Sequence, residues 1–432
     1  MRPMTSVRVA ASLVLTSALT LSACGGATLG GGGASGDCLT RPDQGITDST
    51  ITLGSSMPLS GQAAGGGIAT AAGMKAYAAY VNSTGGIEGS DGKSRTIELV
   101  IHDDGGVPSR ALANVNKLIN EDKVFALVTV WGTASNLAIR APLAKACLPS
   151  IWPMTGAPEI GNPKYPWQTG GILANSYAEG ANIARVVKEE LPGATVAILE
   201  QNDDSGAVLE AGFTEGIKGS DVEVVERVLF ETTAADLSSE ATTLAASKAD
   251  VFLYLGSGGA VQTLALQRIG DTGWKPRIRY VANFGALFVK PLPVEVQDGL
   301  YHNENMIGIE EKTPAMRLYL KWAAKDEAAV KQVGIESLRT GWVTLQLTAT
   351  TLGDLPELTH QELIDAMHRF RTPEDLDTIY RVGDEIAIDF PDKPYPVTAT
   401  ALNRWNGKTQ KAEFIKVMRP EISLGYRDLT DQ

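Results

Sequence analysis

Histidine and cysteine are scarce in this 432-residue chain, with four of the first and three of the second. His102, His302, His360 and His368 stand at no spacing from one another, from cysteine or from a carboxylate that one helix would use to hold a metal ion. The sequence has no Gly-x-Ser-x-Gly turn to carry a nucleophilic serine and no phosphate loop ending in Gly-Lys-Ser/Thr. Glycine runs occur at Gly30 to Gly33 and at Gly256-Ser257-Gly258-Gly259, but neither has the spacing of a dinucleotide fingerprint. Two acid pairs, Asp103-Asp104 and Asp203-Asp204, each follow an expected strand, where carboxylates cap helices and loops. No catalytic residue, cofactor or metal is expected from this inventory. Positive charge is in deficit, 38 Lys and Arg against 50 Asp and Glu, and the net charge of −12 argues against a nucleic-acid partner. No apolar run is long enough to span a bilayer as a helix.

What is present begins with a targeting pattern. Arg2 and Arg8 precede a short apolar run over residues 9–21. The run ends in Leu21-Ser22-Ala23-Cys24, which resembles a bacterial lipobox: small residues fit a narrow peptidase cleft and the thiol accepts a lipid. Residues 1–23 therefore read as a signal peptide, with Cys24 as the lipidation site. Residues 24–45 are rich in Gly, Ala and Ser and read as a flexible tether. Such a chain is anchored at the extracytoplasmic face of the membrane without crossing it. Lipidation of Cys24 leaves Cys38 and Cys147, an even pair that an oxidising compartment invites to bond; two separate thiols are the alternative.

The body alternates strands and helices. Strands are expected over residues 50–55, 96–101, 124–130 and 148–152, with helices over 68–81, from Pro108, and up to Ala146. The series restarts with a helix over 175–191. Strands at 194–200, 222–228, 251–255 and 277–282 then alternate with helices at 205–219, 236–247 and 259–269. Two successive sets of this kind imply an α/β fold with two parallel, doubly wound sheets. Helices are expected over 313–327, 335–352 and 359–370, then extended segments over 379–388 and 397–405 with a hairpin turn at Asn406-Gly407. In open parallel sheets ligands bind at the carboxyl ends of strands. There Trp131-Gly132-Thr133-Ala134-Ser135 offers a flat ring, a close-approach glycine and two hydroxyls at a helix start; capping by Ser135 and core packing of Trp131 are the plainer reading.

Several segments together resemble the leucine/isoleucine/valine-binding proteins, the type I periplasmic binding proteins. They are Pro58-Leu59-Ser60-Gly61, the run from Asn82 to Gly89, His102-Asp103-Asp104 with Pro108, Leu148-Pro149-Ser150, and Gly273-Trp274-Lys275-Pro276. The resemblance covers the chain from about Ile46 onward. It implies two Rossmann-like lobes joined by three crossovers, near Gln168, Tyr301 and Arg371. Residues 46–168 with 302–371 would form one lobe, and 169–301 with 372–432 the other. It also implies hinge closure over a ligand, and ABC permease and ATPase subunits as partners of a monomeric receptor. Ligand contacts implied by the family are Ser60, Gly66, Trp131, Gly132, Thr133 and Ser135 in the first lobe, then Met154 and Thr155. Ser205, Gly256, Ser257, Asn283 and Phe284 would serve in the second.

Amino-acid binders of this family carry an acid near the position of Asn283, a Tyr near Ser205 and an aromatic near Gly66, and this sequence has none of these. Trp131, Trp152 and Phe284 would line an apolar slot instead, with Asp203 or Asp204 the fallback acid. The expected function is uptake of a small carboxylate, amide or amino acid, leaning toward an apolar carboxylate or amide. A sensor acting with a separate membrane partner and an extracytoplasmic enzyme are the alternatives.

Overall fold

The computed structural model describes Cys38 and residues 43–373, 375–381, 388 and 396–420. Cys24, the expected signal peptide and most of the expected tether lie outside the described residues. The described strands form two sheets. The first takes the order β2-β3-β1-β4-β5, from β1 (Thr50–Met57), β2 (Ile87–Glu88), β3 (Ser94–Asp103), β4 (Ala126–Val128) and β5 (Ser150–Ile151). The second takes the order β12-β11-β10-β9-β8-β6-β7. Its strands are β6 (Thr195–Gln201), β7 (Glu223–Phe230), β8 (Val251–Leu255), β9 (Ile278–Val281), β10 (Tyr301–Asn303), β11 (Thr400–Asn406) and β12 (Lys411–Met418).

Parallel pairing dominates both sheets, with β1 running beside β3 from Thr50–Thr96 to Met57–Asp103. The central strands β4, β8 and β9 are buried almost throughout, as strands covered by helices on both faces must be. The sheets are less purely parallel than the alternation predicts. β2 pairs antiparallel with β3, and beyond β10, which pairs parallel with β9, β11 and β12 extend the second sheet antiparallel. The hairpin signal at Asn406-Gly407 marks the β11–β12 turn. Strand β10 carries no apolar run of its own and is recruited by its neighbours.

The chain passes between the sheets three times: after β5, after β10, and again before β11. After β10, helices Pro314–Ala323 and Arg339–Gly353 return to pack on helix Ala64–Ser83 beside the first sheet. There Trp342 meets Tyr77 edge-on at 4.9 Å and Met316, Tyr319 and Leu345 are fully buried.

Helix boundaries differ from the periodicity for local reasons. The helix after β4 breaks into Thr133–Ala138 and Arg140–Ala146, because Pro142 lacks the N–H that would bond the Ala138 carbonyl. The helix expected over 313–327 stops at Ala323, and Asp326 caps a new one, Glu327–Val333, by accepting from the Ala329 N–H at 3.0 Å. Of the extended segment expected over 379–388, residues 382–387 lie outside the described residues; Tyr380 makes an isolated antiparallel bridge with Met306. Cys38 and Cys147 are joined as a disulfide, with Cα atoms 5.6 Å apart. No helix among the described residues is long and apolar enough to cross a membrane.

Candidate functional site

Each sheet has a strand whose neighbours lead away in opposite directions: β1 between β3 and β4, and β6 between β7 and β8. Loops leaving such switch points diverge and open a crevice at the carboxyl ends of the strands. The loops of the two sheets together enclose a cleft of about 370 Å³.

On the first-sheet side the cleft is built by backbone pairing that outlasts the strands. The Gly132 N–H donates to the Met154 carbonyl at 3.2 Å, and the Met154 N–H to Val130 at 2.8 Å, so the loops after β4 and β5 stay in register up to the cavity. The buried Asn136 amide fixes the turn by donating to Val130 O at 2.9 Å and Gly132 O at 2.8 Å. Thr133 and Thr155 then face one another, their hydroxyl oxygens 2.8 Å apart. The Thr155 oxygen also accepts from the Ala157 N–H at 3.1 Å. Two hydroxyls share one proton between them in that contact, so the pair has one O–H left to offer a ligand oxygen. Helix Ala64–Ser83 carries a run of three glycines, Gly65 to Gly67, in its first turn, ahead of the helix start the sequence suggests. Close approach explains it: a Cβ on Gly66 would stand 2.5 Å from the Trp131 ring, and one on Gly67 1.9 Å from the Pro58 carbonyl. The Trp131 ring is thereby held against the helix start, with its N–H buried and without a partner among the described residues.

On the second-sheet side, Ser205, Ser257, Asn283 and Phe284 reach the cleft. The Ser257 N–H donates to Gln201 at 2.8 Å, and the Asn283 amide to the Gly256 carbonyl at 3.2 Å. Phe284 stacks on the buried His302 ring with centroids 3.9 Å apart. Burial pushes His302 down to about 3, so it is a neutral aromatic here.

Gly66, Trp131, Gly132, Thr133, Met154 and Thr155 also line the cleft. Six residues expected there do not. Ser135 lies two residues past Thr133, about 200° round the helix, and is buried behind it. Trp152 is fully buried and packs edge-on against Phe370 at 5.2 Å, so the slot loses one of its three expected rings. Ser60 is on the surface, where its N–H donates to the Asp103 carboxylate at 3.2 Å. Asp203 caps helix Asp204–Ile217, accepting from the Ser205 N–H at 2.9 Å and the Gly206 N–H at 3.2 Å, and the exposed Asp204 is off the cavity too. Gly256 contributes only its carbonyl to Asn283; a Cβ there would stand 2.8 Å from the Phe230 ring.

The sequence reading missed the charged part of the lining. Glu304 and Arg339 are ion-paired, and Arg339 also donates to the Ile307 carbonyl at 2.7 Å. Glu336 is paired with Lys290. Glu179, in the first turn of helix Ser176–Glu190, lines the cleft at 6% exposure. A Cβ on Gly180 would lie 2.1 Å from the Leu209 carbonyl, so this helix touches its neighbour backbone to backbone and holds Glu179 in place. Burial pushes the Glu179 carboxyl up to about 7, against the opposing pull of the Asn303 amide and the Asn283 backbone N–H. Among the described residues no group of three or more His, Cys, Asp or Glu is placed to hold a metal ion.

Two α/β halves with a ligand-sized cleft between them and three chain passages joining them define a solute-binding protein of the type I architecture. The chain belongs to the periplasmic binding protein family, which matches residues 50–386. No curated protein matches it by sequence. Among solved structures it is similar to a fatty acid ABC transporter substrate-binding protein from Thermomonospora curvata. That likeness has 19% identity and a TM-score of 0.72, and covers 88% of this chain and 95% of the other. A solute-binding protein of an ABC transporter from R. palustris, in complex with 4-hydroxybenzoate, is 18% identical with a TM-score of 0.71, covering 89% and 100%. A leucine-binding protein from Thermotoga maritima is 15% identical with a TM-score of 0.68, covering 86% and 99%.

Proposed function

We propose that this chain is the lipid-anchored, extracytoplasmic receptor of an ABC importer. It takes a small carboxylate, amide or amino acid into the cleft, closes over it by hinge motion, and passes it unchanged to permease and ATPase subunits. The observation that carries this reading is the shared lining of the cleft: the Thr133–Thr155 hydroxyls from one sheet and Asn283, Ser257 and Phe284 from the other face a single cavity. A ligand that bridges both walls favours the closed arrangement by its differential contacts. The Thr133–Thr155 pair suits a ligand oxygen, and Trp131 and Phe284 suit an apolar body. The neighbours support the importer role, since their names describe ABC-transporter receptors for a fatty acid and for 4-hydroxybenzoate, and a receptor for leucine.

The test is a thermal-shift screen over amino acids, aromatic acids, amides and short carboxylates. A true ligand at 100 times its dissociation constant should add about 2.7 kcal/mol of stability. That ligand is expected to compact the monomer in small-angle scattering and to be recovered intact; a converted product would mean an enzyme instead. The anchor rests on Leu21-Ser22-Ala23-Cys24. Cys24→Ser is expected to abolish lipid labelling and move the protein from the membrane to the soluble fraction. Retention of both would overturn the anchor.

A further inference from the structure

Charge in the cleft does not balance within the protein. Glu304 is paired with Arg339, which also donates to the Glu336 and Ile307 carbonyls, and Glu336 is paired with Lys290. Among the described residues, Glu179 alone of the three cleft acids has no cation beside it, yet it is the most deeply buried. The groups turned toward it are the Asn283 backbone N–H and the Asn303 amide, which approaches without either polar atom closing a full hydrogen bond in the protein. The Tyr280 hydroxyl is buried beside it and also lacks a protein partner. A carboxylate left in such surroundings is costly, and a buried acid without a counter-charge keeps its proton.

Resting on the receptor reading above, we propose that Glu179 contacts the ligand and exchanges its proton for it: a hydrogen-bond-donating nitrogen of the ligand meets the carboxylate as the carboxyl proton leaves to solvent. Binding is then linked to pH, and affinity rises as the carboxyl loses its proton. Of the other titratable groups around it, two tyrosines and one histidine hold one state across neutral pH. Burial raises Tyr280 on β9 and Tyr380 well above the ordinary phenol range, and His302 on β10 stays neutral. Glu304 and Glu336 are ion-paired with Arg339 and Lys290. An isolated monocarboxylate would add a second negative charge to this end of the cleft and would bind better as Glu179 gains its proton, the opposite trend.

The experiment is calorimetric titration of the purified chain between about pH 5.5 and 8.5, in two buffers of different ionisation heat. The probes are leucine, phenylalanine, benzamide, benzoate and butyrate, whose own groups do not titrate in that window. The expected result is that a nitrogen-bearing probe binds, with affinity rising about tenfold per pH unit below the Glu179 midpoint and flattening above it, and with proton release on binding. Glu179→Gln should keep its fold and abolish both the slope and the proton release. Binding that is independent of pH, that weakens as pH rises, or that keeps its slope in Glu179→Gln would overturn the inference and leave the receptor function standing. A wild type that neither binds any probe nor compacts would overturn both.

Discussion

Replacing Cys38 and Cys147 together with serine is expected to lower the stability of the folded chain by about 4–5 kcal/mol. The bond closes a separation of 109 residues, and loop-closure entropy in the unfolded chain grows with the logarithm of that length. The native side is well prepared for it. Cys147 sits at the C-cap of helix Arg140–Ala146 in the left-handed region, φ 54°, and is buried against Leu118, Leu143 and Leu148. Removing the bond therefore leaves a packed site and acts chiefly on the unfolded ensemble. Denaturant unfolding of wild type and variant, with the slopes compared as well as the midpoints, measures the effect. Equal stabilities, together with free alkylation of both cysteines in the native protein, would show that the two thiols are not joined.

The architecture was legible because it rests on patterns that repeat: apolar runs for doubly buried strands, glycine and proline at helix ends, an Asn-Gly turn in the last hairpin. The cleft was legible only where a residue's position along its element decided its direction. Thr133 at the helix start follows from the strand before it. Ser135 needed the helical turn to be counted, and the count points it away. Trp131 and Trp152 look alike in sequence, one after each of two adjacent strands, yet one faces the cavity and the other faces Phe370 in the core. Asp203 offered itself as the cleft acid, and the helix start consumed it as a cap. Glu179 gave no such signal: Ser176-Tyr177-Ala178-Glu179 has the spacing of a capping box, a helix-start pattern that does not point to a cavity. In the structure the cap is Asn175, which accepts from the Ala178 N–H at 3.0 Å, and Glu179 is left to the cavity. Glu304, Glu336 and Arg339 lie in segments that reach the cleft only because the chain returns from the second sheet to the first. That path is a tertiary fact which local periodicity does not encode.

Glu179→Gln in the ligand-free protein is expected to remove a pH dependence of stability worth about 3 kcal/mol between mildly acid and mildly alkaline solution. The folded carboxyl titrates near 7, raised from the ordinary value of 4.5 by burial. Below 4.5 both the folded and the unfolded chain hold this proton, and the residue contributes no pH dependence. Between 4.5 and about 7 the unfolded chain has released it and the folded chain has not, so stability falls as pH rises. Above about 7 both states are ionised and the loss is complete, the folded chain then carrying a buried charge with no cation beside it. Glutamine keeps the shape and the hydrogen-bonding capacity without the titration. The variant should match wild type near pH 4.5 and exceed it progressively up to about pH 8. Other carboxylates titrate in both proteins, so the quantity to follow is the difference between the two unfolding curves at each pH. A difference that stays constant from pH 5 to 8 would mean that the carboxyl is solvated in the open cleft and carries no such burden. A saturating ligand that supplies the missing donor should erase the difference above pH 7, because its contact with the carboxylate is lost in the variant while the penalty it offsets exists only in wild type.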